Sequence, residues 1–186
     1  MPTVVDRLIH KHFLFHHPFF NTSADDVLKW TPFCLLFLSD TFGAKTTSGW
    51  KKQVLIAGAA ESIKYLMSDN LKKLAHERRP APYTGNHSFP SGHTATAFST
   101  AELLHAELKD SLPALSYSGY IAATAVAAIR IIKNRHWLKD VVVGAAVGII
   151  STKLAYALVN KLDKAREHIK KANEKEREKV YEFIPE

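Results

Sequence analysis

A short stretch in the middle of the chain has the residue types that suit chemistry on a phosphate. The letters PSGH occupy residues 90–93, directly before a run of small helix-forming residues. Gly92 lets the backbone approach a ligand closely, Ser91 supplies a hydroxyl, and the unpaired N–H groups of a helix start bind anions. His93 stands at that helix start, where a general acid or base could protonate a leaving oxygen. The stretch alone is equally consistent with an ordinary helix cap beside a surface histidine.

A second histidine stands near a carboxylate further along the chain. His136 and Asp140 are four residues apart, which predicts that both lie on one helix face. A carboxylate there would keep one imidazole nitrogen protonated and leave the other nucleophilic. Arg130 precedes this histidine by six residues. The plain alternative is an ion pair on a helix surface.

Two further cations lie near the predicted end of the long helix that precedes the PSGH stretch. Lys72 and Arg79 are seven residues apart, so we expect them on one helix face, two turns apart. Pro80 ends that helix. Taken alone, this pattern favours a solvated basic face.

Together and in this order, the three stretches resemble the signature of the type 2 phosphatidic acid phosphatase superfamily. That signature is Lys, six residues, Arg-Pro; then Pro-Ser-Gly-His; then Ser-Arg, five residues, His, three residues, Asp. Every spacing fits, and one position departs, since Ile129 stands where the family usually has serine. The matching residues are Lys72, Arg79, Pro80, Pro90, Ser91, Gly92, His93, Arg130, His136 and Asp140.

The resemblance implies a mechanism without a metal or another cofactor. By resemblance, His136 attacks phosphorus and forms a phosphohistidine, Asp140 orients it, and His93 protonates the leaving alkoxide and then activates water. The phosphoryl oxygens would be held by Lys72, Arg79, Ser91, Gly92 and Arg130. Charge stabilisation and positioning by cations are what phosphoryl transfer requires.

The substrate is less closely defined than the chemistry. We favour a lipid phosphate or isoprenoid pyrophosphate of the bacterial envelope, such as phosphatidic acid, phosphatidylglycerol phosphate, undecaprenyl pyrophosphate or a lipid A phosphate. The alternative is a soluble acid phosphatase for small phosphomonoesters. A vanadate-dependent haloperoxidase and an inactive membrane scaffold are two further interpretations.

Periodicity predicts an all-α protein, a single bundle of about five core helices with a charged helical extension. The expected helices are residues 23–41 with a kink at Pro32, from 50 to just before 79, then 92–108, 114–132 and 136–162. Spaced glycines at 144 and 148 would let another helix approach closely. We expect one phosphatase unit at 1–160, with its core at about 23–160, and a charged tail at 161–186.

The amino-acid composition limits the kinds of binding partner that we expect. The net charge is +7; the tail holds eight Lys/Arg and seven Asp/Glu, so nearly all of the excess belongs to residues 1–160. A basic body attracts phosphates or anionic headgroups, but no stripe of cations and aromatics suggests nucleic acid. The single cysteine, Cys34, excludes an internal disulfide. The oligomeric state stays open.

Two segments approach the length of a membrane span. Residues 111–129 are uncharged and residues 141–160 contain one charge, Lys153. The first 21 residues do not resemble a signal peptide, and their histidines indicate a polar or interfacial segment rather than a metal site. We expect an envelope protein, associated with or integral to the membrane, with its site facing the periplasm; a soluble periplasmic protein is the alternative.

Overall fold

The computed structural model describes residues 2–16 and 20–182, and no strand occurs among them. This confirms the all-α prediction. Seven helices are present in the described ranges, two more than the five predicted for the core. They are α1 (Val4–His16), α2 (Ala24–Leu28), α3 (Thr31–Thr41), α4 (Trp50–Ala75), α5 (Gly92–Leu108), α6 (Pro113–Ile132) and α7 (Leu138–Glu182).

The N-terminal helix α1 was not expected. The backbone N–H of Thr3 donates to Oδ2 of Asp6 at 2.7 Å, and the N–H of Asp6 donates to Oγ1 of Thr3 at 3.1 Å. This reciprocal pair starts a helix in the manner of a capping box. Nδ1 of His10 lies 2.8 Å from Oδ1 of Asn134, which fixes α1 beside the turn after α6. Four of the first 21 residues, Met1, His17, Pro18 and Phe19, lie outside the described ranges.

The predicted helix at residues 23–41 is two helices. The chain turns at Lys29 and Trp30, and α3 then starts with Pro32 in its first turn. The kink prediction was therefore wrong. The missing N–H of a proline costs nothing in the first turn of a helix, so Pro32 begins a new helix rather than bending an old one.

Helix α5 lies at the centre of the bundle. It contacts α3, α4, α6 and α7, and 12 of its 17 residues are buried. Small residues make this possible, because alanine, serine and threonine allow four neighbouring helices to pack around one. The site residues at the start of α5 are thereby fixed relative to the rest of the bundle.

Helices α5 and α7 approach each other closely at two glycines. A Cβ atom added to Gly144 would lie 2.7 Å from the carbonyl oxygen of Ser91, and one added to Gly148 would collide with the carbonyl of Ala95. The second distance would be 2.3 Å, and real Cβ atoms do not approach a carbonyl oxygen as closely as either value. The predicted close approach at both glycines is therefore present, and the partner helix is α5.

Helices α6 and α7 include stretches long and apolar enough to cross a membrane, within the part of the chain that the structure describes. Only 28% of the apolar window in α6 and 39% of that in α7 are buried, so most of both surfaces is not covered by other helices. Helix α7 continues from the bundle through the charged tail, where residues 164–177 are exposed. The division at residue 160 stays a prediction.

We predict that Gly148→Ala destabilises the protein by about 1–3 kcal/mol, because its methyl group would push α7 away from the backbone of α5. Gly58→Ala is the matched control, since nothing lies within 4 Å of a Cβ added there. That exposed helical position should gain about 0.5–1 kcal/mol from alanine. Chemical denaturation in detergent measures both. Equal effects of the two substitutions would contradict a close α5–α7 contact.

Candidate active site

His136 lies in the turn between α6 and α7, and its side chain is 3% exposed. Its Nδ1 atom is 2.8 Å from the carbonyl oxygen of Ser88. Because a carbonyl oxygen only accepts hydrogen bonds, Nδ1 must carry a proton, which leaves the lone pair of the neutral ring on Nε2. Burial lowers the pKa of His136 and outweighs the opposing effect of Asp140. The lowered pKa favours the neutral form of the ring, which can act as a base or a nucleophile.

Asp140, in the first turn of α7, is fully buried. Its Oδ2 atom accepts hydrogen bonds from the Ser88 hydroxyl and from the Trp137 N–H, the latter at 2.9 Å. The same oxygen is 3.6 Å from Nδ1 of His136, too far for a good hydrogen bond. The Asp140 carbonyl accepts the N–H of Ser91 at 2.9 Å. Asp140 therefore holds the loop whose Ser88 carbonyl orients the histidine.

This geometry differs from the sequence prediction in two ways. His136 precedes the helix, so it does not share a helix face with Asp140. The nearer partner of its Nδ1 is Ser88, which sequence reasoning missed. No signal could have found it, because a serine in a turn-rich loop has many possible positions.

The start of α5 and the end of α4 meet at Gly92. A Cβ added to Gly92 would lie 4.0 Å from Nζ of Lys72, so the ammonium group stands beside the N-terminus of α5. Ser91 is the N-cap residue in extended conformation, but its side chain does not cap the helix. Its Oγ accepts a hydrogen bond from Thr94 at 3.0 Å. The first N–H groups of α5 and the Lys72 cation together favour an anion.

Arg79 reaches the site from a loop rather than from a helix. Helix α4 ends at Ala75, and His76 follows in the left-handed conformation with φ of 43°. The expectation that Lys72 and Arg79 share a helix face was therefore wrong. Nη1 of Arg79 donates to the carbonyl of Arg135 at 3.2 Å. Burial lowers the pKa of Arg79, and the neighbouring cation of Arg130 acts in the same direction.

Arg130, on the last turn of α6, is buried and ion-paired. Its Nη1 atom donates to Oδ2 of Asp25 at 2.6 Å, and Nζ of Lys133 donates to Oδ1 of the same carboxylate at 3.0 Å. The Nε atom of Arg130 is buried with no hydrogen-bond partner among the described residues. A buried guanidinium N–H without a partner is costly. An anion that reached it would remove that cost.

His93 faces a second carboxylate on α2. Its Nε2 atom is 2.8 Å from Oδ1 of Asp26 and 3.3 Å from Nζ of Lys29. Burial lowers the pKa of His93, while Asp26 opposes this effect. Asp26 was not identified as a site residue from the sequence. The contact joins residues 67 positions apart, which no local pattern indicates.

Three of these groups could in principle bind a metal ion. Donor atoms of Asp25, Asp26 and His93 lie within 4.8 Å of one another. Both oxygens of Asp25 already accept hydrogen bonds from cations, and Asp26 is ion-paired with Lys29 at 3.1 Å. Because three side-chain cations already balance these acids, the set fits a divalent ion poorly.

Contacts and electrostatic interactions link all eight predicted site residues into one group at the ends of the helices. They are Lys72, Arg79, Ser91, Gly92, His93, Arg130, His136 and Asp140. The group combines two imidazoles, three cations and a helix N-terminus. Such an arrangement suits a transferring phosphoryl group, whose oxygens need positive charge and whose phosphorus needs a nucleophile.

Comparisons with known proteins agree with this chemistry. A relative in Porphyromonas gingivalis, a lipid A 1-phosphatase, is 36% identical over 137 residues. The match covers 74% of this chain but only 31% of that protein. The chain therefore spans about a third of the length of the curated relative it matches.

Two solved structures have a similar fold. Aquifex aeolicus LpxE superposes with a TM-score of 0.58 at 23% identity, over 82% of this chain and 93% of that one. A transmembrane phosphatidylglycerolphosphate phosphatase of PAP2 type from Bacillus subtilis gives 0.53 at 19% identity, over 84% and 85%. At these identities the likeness shows the helical fold alone.

A match to a family model identifies the protein family. The family model described as the PAP2 superfamily matches residues 29–164, which include all three motifs. The match covers well over half of the chain and confirms the resemblance seen in the sequence. This protein belongs to the PAP2 superfamily, the type 2 phosphatidic acid phosphatases.

Proposed function

We propose that this protein is a metal-independent phosphatase that hydrolyses a lipid phosphate of the bacterial envelope through a phosphohistidine. One observation carries the proposal. The buried ring of His136 is fixed by the Ser88 carbonyl at 2.8 Å, which leaves Nε2 as a neutral nucleophile. Two of the predicted phosphate-binding cations, Arg79 and Arg130, lower the pKa of this ring, as its burial does. A neutral base surrounded by cations is suited to attack an anionic phosphoryl group.

The first step transfers the phosphoryl group to the protein. The Nε2 lone pair of His136 forms a bond to phosphorus while the bond from phosphorus to the leaving oxygen breaks. Protonated His93 donates its proton to that oxygen, so the product departs as an alcohol. The negative charge on the phosphoryl oxygens is held by Lys72, Arg79 and Arg130, because guanidinium and ammonium groups match those oxygens.

The second step releases phosphate. Neutral His93 accepts a proton from water as the water oxygen bonds to phosphorus. The bond between phosphorus and Nε2 of His136 then breaks and returns its electron pair to the ring. Asp140 supports both steps, because its buried carboxylate lies 3.6 Å from Nδ1 and stabilises the positive imidazolium that the phosphohistidine creates.

The choice of a lipid substrate rests on the surface and on a relative. The relative from Porphyromonas gingivalis is a lipid A 1-phosphatase, and α6 and α7 offer apolar stretches of spanning length. Large apolar side chains are exposed on several helices, for example Leu74 on α4 at 81% and Ile121 on α6 at 73%. Apolar surface of this extent favours contact with lipid. We infer an envelope enzyme associated with the membrane, whose site faces the periplasm.

We predict that His136→Ala reduces phosphate release by at least about 1000-fold, because no other group replaces the nucleophile. The assay compares a lipid A 1-phosphate and phosphatidic acid in mixed micelles with p-nitrophenyl phosphate. His168→Ala, on the exposed tail, is the matched control and should keep full activity. The native protein should favour the lipids.

Two outcomes would contradict the proposal in different ways. Full activity of the folded His136→Ala variant would rule out this histidine as the nucleophile. Faster turnover of p-nitrophenyl phosphate than of either lipid would favour the soluble acid phosphatase interpretation.

We also predict that activity survives EDTA. The cations that surround the site supply the charge that a metal ion would otherwise supply, and the acidic groups nearby are already ion-paired with side chains. Activity should change less than twofold after chelation and gel filtration. A complete loss that Zn²⁺ or Mg²⁺ restores would refute a metal-independent mechanism.

A further inference from the structure

The short helix α2 contributes two carboxylates to the site from outside the family motifs. Asp25 and Asp26 precede the residues that the family model matches, which begin at residue 29. Neither belongs to any of the three motifs. Yet Asp25 contacts Arg130 and Asp26 contacts His93, so each acid contacts one predicted site residue.

Asp25 anchors α2 to the bundle. Its side chain is fully buried, with Arg130 at 2.6 Å and Lys133 at 3.0 Å. Burial opposes ionisation, but hydrogen bonds and charge attraction from these two cations outweigh it and hold the pKa of Asp25 below its ordinary value. A buried ion pair has little freedom, because separating it leaves unpaired charges inside the protein. This anchor holds the backbone of the next residue, Asp26, beside the site, and the Asp26 side chain is 56% exposed.

Asp26 accepts the Nε2 proton of His93. Hydrogen bonds from His93 and Lys29 lower the pKa of Asp26 to about 2, so the carboxylate is ionised at neutral pH. An ionised carboxylate accepts hydrogen bonds and cannot donate them. The 2.8 Å contact therefore requires that Nε2 of His93 carries a proton.

Lys29 is the cation that balances the negative charge of Asp26. Its Nζ atom is 3.1 Å from Oδ1 of Asp26 and 3.3 Å from Nε2 of His93. The ammonium and the protonated Nε2 are both donors, so only the contact with Asp26 is a hydrogen bond. The backbone of Lys29 is held in place, because its carbonyl accepts the hydroxyl of Thr100 at 2.8 Å.

We propose that Asp26 is a positioning residue that binds Nε2–H of His93 and thereby makes Nδ1 the atom that exchanges a proton with the leaving group and with water. This inference rests on the proposed function, in which His93 is the general acid and base. Such a carboxylate fixes both the ring orientation and the tautomer of a histidine. The site then contains two imidazoles with opposite tautomers, Nδ1–H in His136 and Nε2–H in His93.

The charged groups around His93 have opposite effects on the pKa of its ring. Asp26 favours the imidazolium, whereas burial, Arg130 and Lys29 disfavour it. Lys72, beside Gly92 at the same helix start, is a further cation on this side of the site. Removing the negative charge of Asp26 should therefore lower the pKa of His93, and removing the positive charge of Lys29 should raise it.

Two measurements test the proposal on the full chain in detergent micelles. The first is the pH profile of kcat/KM with a lipid A 1-phosphate, whose alkaline limb reports the general acid of the free enzyme. The second is a long-range ¹H–¹⁵N spectrum of labelled protein, which reads the tautomer and the titration of His93 without turnover. The His93 signals are assigned by their loss in His93→Gln.

We predict that Asp26→Asn moves the alkaline limb to lower pH and reduces kcat/KM at pH 8 by roughly tenfold, with a much smaller change at acid pH. Lys29→Gln should move the limb to higher pH. Asp163→Asn is the matched control, because Asp163 forms a half-buried ion pair at 2.7 Å with Lys52, away from the site and between α7 and α4. Its profile should coincide with that of the native protein.

The spectrum of the native protein should show neutral His93 with its proton on Nε2. A neutral His93 protonated on Nδ1 would overturn the proposal, and so would alkaline limbs that move in the same direction in Asp26→Asn and Lys29→Gln. A native protein with no phosphatase activity that keeps the Nε2–H tautomer and both titration shifts would refute the proposed function and leave the Asp26–His93 pair intact.

Discussion

The close contact between α5 and α7 is the constraint on which the site depends. At Gly144 the backbone of α7 lies against the carbonyl of Ser91, and four residues earlier the Asp140 carbonyl accepts the Ser91 N–H. The PSGH stretch and the helix that follows His136 are thereby held together by backbone contacts. Any side chain at Gly144 or Gly148 would separate them. Two separate sequence motifs form one site because two glycines allow their helices to touch.

The second constraint is the accumulation of positive charge at one end of the bundle. Lys72, Arg79 and Arg130 approach from α4, from a loop and from α6, and two buried acids, Asp25 and Asp140, offset part of this charge. Nε of Arg130 and Oδ1 of Asp140 are buried without partners among the described residues. Like charges near one another repel, so this group of cations is suited to an anion such as a phosphoryl dianion and poorly suited to a metal cation.

The sequence predicted most of the bundle and the motif residues, for identifiable physical reasons. Helix α5 has the predicted bounds, 92–108, because a proline, a glycine and a run of small residues mark its start without ambiguity. Helix α1 was missed because histidines interrupt its apolar pattern. Arg79 was placed on a helix although the chain already leaves α4 at His76, whose left-handed backbone no local pattern indicated. The partners of the two histidines, Ser88 and Asp26, are 48 and 67 residues away, and single-sequence patterns carry no information at that distance.

The most direct test of the account is the detection of the covalent intermediate on His136. The His93→Gln variant would be mixed with ³²P-labelled p-nitrophenyl phosphate, whose leaving group departs without a proton, and then quenched in base within milliseconds. The second step needs His93 to activate water, so the phosphohistidine mechanism predicts label that accumulates on the peptide containing His136, stable in base and lost in acid. Label on another residue, or release of p-nitrophenol without any labelled protein, would contradict the phosphohistidine mechanism.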